Sequence, residues 1–524
     1  MSKVFLYDTT LRDGSQGEGI SFSASDKMKI ARRLDEFGIH YIEGGFPGAN
    51  PKDIEFFELA RKHDWQNAKI VAFGATRRKG IAVEDDPAVA AILGSGVSAV
   101  ALVAKFSRWQ VEHILEAAPE ENLAMIRDTV SYLKRRGLEV IVDAEHYFDG
   151  FRDDPEYALA CLDAAVEAGC DWLVLCDTNG GSLVRHIRES TRIAVGRSPV
   201  PVGIHTHNDM DLATAGSIAA VGAGATQVQG TINGLGERCG NANLCAVVAN
   251  LQLKMGVECV SGENLSRLTE LSHFVSETAN LVPNSQMAYV GQSAFAHKAG
   301  YHASATAKAE HAYQHVDPVL VGNRQRILVS ELSGASNVVT RTEQLGIGQS
   351  RQDAAATART LKLMESRGFQ FEGAEASFEL LVRRQAPDYR PPFELVDFLT
   401  LVETRGGEAA LSEAMVKIRV GEEVFHTAAE GNGPVSALDA GTRKALLTAY
   451  PTLDSVRLID YKVRIVDSDA GTDASIRVLI ESTNGEDFWT TVGSSTNVVE
   501  ASWLALADSF EYAIMLQENG KGAD

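Results

Sequence analysis

Between residues 4 and 230 eight short apolar runs recur, and each leads into a stretch with helical periodicity. The runs are Val4–Tyr7, Tyr41–Phe46, Lys69–Gly74, Ser98–Lys105, Leu138–Glu145, Asp171–Asp177, the segment from Val202 to His205, and Ala225–Gly230. Near-continuous apolar runs, without in-and-out alternation, read as parallel strands covered on both faces by helices. After the first run, Met28, Ile30, Ala31, Leu34 and Phe37 form one apolar stripe, with Ser25 as the expected N-cap and Gly38 as the stop. A second helix is expected from Pro51 to Lys62. Eight strand-helix units within about 250 residues have the period of a (β/α)₈ TIM barrel, here placed over residues 1–265. A doubly wound open sheet would use the same elements, but no Gly-x-Gly-x-x-Gly follows the first strand.

A barrel gathers its chemistry at the carboxyl ends of its strands. Asp13, Glu43, Lys105, Glu145, Asp177, His205 and His207 all lie at such ends. His205 and His207 are two apart on one strand and therefore face the same way, about 6–7 Å apart along it. Read alone, the pair is most simply two satisfied core histidines. A third ligand would make it a site for one divalent ion. Strand one closes beside strand eight and near strand seven, so Asp13 is the best third ligand, while Asp8 fits a buried structural carboxylate equally well. The eighth strand leaves through Thr231-Ile-Asn-Gly-Leu-Gly-Glu237-Arg-Cys-Gly-Asn241, where glycines permit close approach and Asn241 offers an amide oxygen. Arg12 supplies fixed positive charge where an oxyanion could develop. Glu43 and Glu145 are expected to face the same mouth, Lys105 to serve equally well as a strand cap or as a residue of the site, Cys239 to be a small packed side chain, and Asp209 to do supporting or helix-cap work. Such a site suits 2-oxo acids and aldol or Claisen chemistry.

A formal charge of −21 and a pI near 5.1 argue against nucleic acid or an anionic membrane as partner. No apolar run approaches the ~20 residues of a membrane span, and the first residues lack a signal-peptide pattern. A cytoplasmic protein is expected. The six cysteines contain no Cys-x-x-Cys pair, which speaks against a disulfide framework or a thiolate zinc site.

From residue 266 to 388 the alternation is lost and a helical linker subdomain is expected, including a helix through Ala354–Arg367. From 389 to 524 the texture returns to strands. Met415–Val420 and Val424–Ala428 lead into a helix at Val435–Tyr450; Ile476–Ile480 and Phe488–Val492 lead into a helix at Val498–Met515. Two hairpin-then-helix units about 62 residues apart predict a pseudo-symmetric α+β domain. Binding of a small regulator and plain dimerisation account for it equally well.

Asp8-Thr-Thr-Leu-Arg12-Asp13-Gly-Ser-Gln16, His205-Thr-His207-Asn-Asp209 and Gly234-Leu-Gly-Glu237-Arg-Cys-Gly-Asn241 together resemble the DRE-TIM metallolyases. Within these the chain is similar, over nearly its whole length, to the 2-isopropylmalate, homocitrate and citramalate synthases. The run Tyr41-Ile-Glu-Gly-Gly-Phe-Pro-Gly-Ala-Asn-Pro-Lys-Asp53, with Leu320–Arg324 and Val329–Gly334, most resembles members that use pyruvate. The resemblance implies that Asp13, His205 and His207 bind a divalent ion (Mg²⁺, Mn²⁺ or Zn²⁺), with Asn241 close to it. It implies that Arg12 stabilises the keto or enolate oxygen, that Thr178 holds the 2-oxo acid carboxylate, and that Glu145 works with the base machinery. His302 and Tyr313 match a linker histidine and tyrosine that reach an active site, often the other subunit's, and help take the acetyl methyl proton. Acetyl-CoA is the implied co-substrate, isoleucine a candidate effector of the C-terminal domain, and a homodimer or higher homo-oligomer the implied assembly. Ser15-Gln16, Asp177-Thr-Asn-Gly180 and His297-Lys-Ala-Gly-Tyr-His302 depart from the common pattern of that group.

Overall fold

The computed structural model describes residues 3–48, 50–297, 305, 309, 312–327, 335–404, 411–466, 471, 473–485 and 487–520. The chain forms two compact units, residues 1–295 with 314–325, and residues 296–313 with 326–524.

The first unit is built on strands β1 (Phe5–Asp8), β2 (Tyr41–Gly45), β3 (Lys69–Ala75), β4 (Ala99–Lys105), β5 (Glu139–Glu145), β6 (Trp172–Asp177), β7 (Val202–Thr206) and β8 (Gln227–Gly230). They form a closed barrel in sequence order, and β1 pairs with β8 with Asp8 opposite Gly230. The expected barrel is therefore observed. Two apolar layers hold it. Side chains such as Leu6, Ile42, Val100, Val142 and Ile204 pack against the surrounding helices. Tyr7, Tyr41, Val71, Ala101, Ile141, Trp172 and Val174 form a separate buried cluster from the other face of the strands, filling the lower interior.

The first helix, Ala24–Phe37, is capped by Ser23 and not by Ser25. Ser23 Oγ accepts from the Asp26 amide while the Asp26 carboxylate accepts from the Ser23 amide, which satisfies two orphan donors of the first turn together. Ser25 has no acidic residue at that spacing. Gly38 ends the helix at φ +95°, as its place after the stripe predicts.

In the second unit, β9 (Ala296–His297) pairs with β10 (Arg326–Ile327). Helices follow at Ala335–Gln344, Arg351–Ser366 and Glu375–Arg383. Two antiparallel three-stranded sheets come next. The first is β11 (Glu394–Glu403), β12 (Leu411–Val420) and β13 (Glu423–Gly431), followed by the helix Pro434–Leu446. The second is β14 (Arg457–Ile465), β15 (Ile476–Thr483) and β16 (Phe488–Ser495), followed by the helix Val498–Gly520. The repeat is present, but each copy has one strand more than the expected hairpin. The missed strands, β11 and β14, each carry a register shift, between Leu395 and Asp397 and between Leu458 and Asp460. A bulge breaks the period of two that identifies a strand in sequence. One core joins Ala414, Val416, Ile418, Leu438 and Leu446 of the first copy to Val478, Ile480, Trp489, Trp503 and Phe510 of the second. A neighbouring cluster packs Leu361, Phe371 and Phe378 of the preceding helices on Val492 of β16.

Candidate active site

At the carboxyl end of the barrel the chain turns sharply after β1, and Asp13 comes under β7. The turn is fixed by its own side chains: the Asp8 carboxylate accepts from the Thr10 amide (2.9 Å) and hydroxyl (2.8 Å), and Thr9 Oγ1 accepts from the Asp13 amide (3.3 Å). Burial pushes the Asp8 carboxyl up to about 7 even against those bonds, consistent with the structural role open to it in sequence.

His205 and His207 do face the same way, with their Nε2 atoms 3.3 Å apart. Asp13 Oδ2 lies 3.6 Å from His205 Nε2 and 3.8 Å from His207 Nε2. Atoms that share one ion at ~2 Å stand about 3–3.5 Å apart, so the three need only a small inward movement to ligate together. They are the one group of His, Cys, Asp and Glu found at such spacing among the described residues.

The proton arrangement suits a cation. His205 Nδ1 is bonded to Gln229 Oε1 at 2.9 Å, which puts the hydrogen on Nδ1 and a lone pair on Nε2. Burial, then the neighbouring His205, lowers the His207 imidazole to about 4, so it is neutral at pH 7. Burial would raise Asp13, but Arg12, His205 and His207 outweigh it and hold the carboxyl at about 2. Asn241 Nδ2 donates to Asp13 Oδ1 at 3.0 Å, while its Oδ1 is buried without a hydrogen-bond partner, as is His207 Nδ1. Asn241 Nδ2 also donates to the Leu235 carbonyl at 3.1 Å, so the amide nitrogen, and not the oxygen expected from the sequence, is the end that faces Asp13. The carboxylate of Asp13 and the imidazoles of His205 and His207 fit a divalent ion.

The glycine loop after β8 makes this approach possible. Gly236 sits at φ +150°, and a Cβ there would overlap Asn241 Nδ2; Gly240, at φ +88°, would run into the Gly234 carbonyl. Arg238, at φ +56°, turns the loop outward, so Cys239 is exposed and not packed as its sequence context predicts. Arg238 grips both carboxylate oxygens of Asp209 (2.7 and 2.9 Å) and the Thr178 carbonyl (2.9 Å). Asp209 is thus a strap between loops. The following helix, Ala213–Gly222, has Leu212 at its N-cap and no side-chain cap.

Arg12 is fixed on three sides. Its Nε donates to Glu43 at 2.6 Å, its Nη1 to Asp13 at 3.1 Å, and its guanidinium lies 4.0 Å from the centre of the Phe73 ring. Glu43 is fully buried and also accepts from Tyr7 (2.7 Å) and Thr9 (2.5 Å). It holds Arg12 and does not face the mouth as a second free carboxylate. Glu145 pairs with Lys105 at 2.5 Å, their strands being in register at those two residues. Lys105 is therefore more than a strand cap. Thr178 accepts the His146 amide at 2.7 Å, leaving its hydroxyl hydrogen to donate elsewhere. Arg12, Asp13, Glu145, Thr178, His205 and His207 all line one cavity, with Phe73, Val103, Asp143 and Cys176 completing its wall.

Of the remaining expected residues, His302 lies outside the described residues. Tyr313 belongs to the second unit, where it is 43% exposed. Sequence reasoning missed Gln229, Asp143 and Phe73. Two of them left a signal: Asp143 is two residues before Glu145 on β5 and Gln229 two after Gln227 on β8, so each is a polar residue inside an otherwise buried strand.

With that geometry in view, the barrel and its Asp-His-His triad define a class, and comparison with known proteins gives the same one. The chain belongs to the HMGL-like family, whose profile matches residues 3–275. Residues 289–368 match the homocitrate synthase post-HMGL domain-like family and residues 372–514 the LeuA allosteric (dimerisation) domain. Among its relatives are the (R)-citramalate synthase of Aquifex aeolicus, 51% identical over 98% of both chains, and that of Geobacter sulfurreducens, 49% identical over 100% of both. The (R)-citramalate synthase of Sulfolobus acidocaldarius is 43% identical over 98% of this chain and 97% of its own. No described helix is long and apolar enough to cross a membrane.

Proposed function

We propose that the chain is an (R)-citramalate synthase, which joins the acetyl group of acetyl-CoA to the keto carbon of pyruvate and hydrolyses the thioester to give citramalate and free CoA. The observation that carries this is five (R)-citramalate synthases at 43–51% identity, aligned over essentially the full chain, on a site suited to a 2-oxo acid. Asp13, His205 and His207, with Asn241 bonded to Asp13, would hold a divalent ion, which would supply Lewis-acid polarisation of the keto group. Arg12, clamped by Glu43, presents positive charge to the oxygen on which negative charge develops. The Thr178 hydroxyl is free to donate to the 2-oxo acid carboxylate. Glu145, held by Lys105, belongs to the machinery that takes the methyl proton of the acetyl thioester, together with His302 and Tyr313 by the motifs they occupy.

Residues 1–265 would then be the catalytic barrel, 266–388 the linker, and 389–524 a regulatory and dimerisation domain. Mg²⁺, Mn²⁺ or Zn²⁺ fits the donor set, and the working assembly is a homodimer or larger in the cytoplasm.

Thiol release from acetyl-CoA tests the reading. With Mg²⁺, Mn²⁺ or Zn²⁺ present, pyruvate is expected to give the highest kcat/KM among pyruvate, 2-oxoisovalerate and 2-oxoglutarate, by at least tenfold, about 1.4 kcal/mol of discrimination. Release with a larger acid and none with pyruvate would refute it.

Isoleucine is the effector we assign to the C-terminal repeat, whose two copies carry Gly431 and Gly493 in their third strands, where a Cβ would run into the backbone of the following helix at Ala437 and Ala501. Rates of the full chain are expected to fall by severalfold across increasing isoleucine, with glycine as the control. A flat profile would remove this assignment. The full chain is the right material, because Ala376 shares a core with both sheets and a cut near residue 390 would tear it.

A further inference from the structure

Gln229 lies inside the barrel on β8 and is fully buried. Both ends of its amide are engaged, Oε1 with His205 Nδ1 at 2.9 Å and Nε2 with Asp143 Oδ1 at 3.0 Å. The two ends are not interchangeable, because the oxygen only accepts and the nitrogen only donates. Asp143, buried on β5, accepts from Gln229 Nε2 through Oδ1 in the arrangement observed. Nε2 satisfies that oxygen, which turns Oε1 towards His205. An acceptor at Nδ1 requires the hydrogen there, and the Nε2 lone pair is then directed at His207 and Asp13. The opposite rotamer would put an N–H against Nδ1 and a hydrogen on Nε2, and the histidine would point a proton where a ligand is needed. A histidine that binds metal through one nitrogen is commonly held through the other, and loss of that hold costs about 10–100-fold in metal affinity.

We infer that Gln229 is a positioning residue for the metal-ligating nitrogen of His205, and that Asp143 sets the orientation of its amide. Asp143 thus acts on the site from two residues away along the chain of hydrogen bonds Asp143–Gln229–His205, and neither residue needs to touch substrate to do so. The inference rests on the metal site proposed above.

The test is metal affinity of the full chain, measured by competition of Zn²⁺ or Co²⁺ with a chromophoric chelator, alongside the visible spectrum of the Co²⁺ form. Q229L, close in volume but without an acceptor, is expected to bind about 10–100-fold more weakly and to change the Co²⁺ band, while thermal unfolding remains cooperative. Q229E keeps an acceptor for His205 and can share one proton with Asp143, so its affinity is expected within about threefold of wild type. D143A leaves the amide unanchored and is expected to weaken binding by about tenfold; it serves as the reading if Q229L does not fold. Wild-type affinity and an unchanged Co²⁺ spectrum in Q229L, or in D143A where that variant is the one read, would overturn the positioning role. A wild-type chain that binds no ion would instead overturn the metal site itself, which separates the two failures.

Discussion

Replacing His207 by alanine is expected to lower kcat/KM for thiol release by at least about 10³-fold, equivalent to about 4 kcal/mol of transition-state stabilisation. The imidazole is neutral at pH 7, its Nε2 stands 3.3 Å from that of His205 and 3.8 Å from Asp13, and few alternative donors are near. Removing it leaves Asp13 and His205 as protein ligands, too few to fix an ion with open positions for a bidentate substrate. Chelator treatment of the wild type should produce a comparable loss that added Mg²⁺, Mn²⁺ or Zn²⁺ restores. H207A should show no such recovery at the same metal concentration. Retention of more than a tenth of wild-type activity by H207A would remove the triad from the reaction.

Arg12→Lys is the second large effect, an expected 10²–10³-fold fall in kcat, the range seen when a preorganised oxyanion donor is lost, of order 3–4 kcal/mol. Lysine keeps the charge, but one ammonium cannot donate to Glu43 and Asp13 in the fixed fork of a guanidinium while its plane lies on Phe73. Glu43 would keep Tyr7 and Thr9 as donors and lose the Arg12 fork, at a cost of about 1–3 kcal/mol in stability. Measured together, kcat should fall far more than the unfolding midpoint. A kcat within threefold of wild type would show that Arg12 serves the fold and not the reaction.

The legible part of the site follows from strand geometry. His205 and His207 share a face because they are two apart on an extended strand, and Asp13 reaches them because β1 closes on β8 beside β7. Both statements need only periodicity and strand order. What Glu43 does was not legible. It stands at the end of β2 as Glu145 does at the end of β5, yet one is fully buried under Arg12 and the other is paired with Lys105 at the cavity. Which carboxylate faces substrate depends on the partner that each meets from the neighbouring strand, and those partners are 31 and 40 residues away in sequence. Gln229 was passed over for the same reason, since its meaning lies in Asp143, 86 residues earlier. The strands β11 and β14 were missed on a different ground: their bulges disturb the alternation by which a strand is recognised.

By itself the sequence determined the eightfold strand-helix period, the closed barrel, the two histidines on one face, and the repeated C-terminal unit. Each is carried by local spacing, and hydrophobic burial enforces local spacing wherever the chain folds. Only the tertiary structure decided which polar residues at the strand ends are structural and which are exposed to substrate. It also decided that Ser23 caps the first helix, that Asp209 is a strap for Arg238, and that His205 Nδ1 meets the Gln229 amide. Those outcomes depend on which donor meets which acceptor inside a low-dielectric interior, where an unpaired group is expensive, and the pairing is fixed only when distant strands are brought side by side.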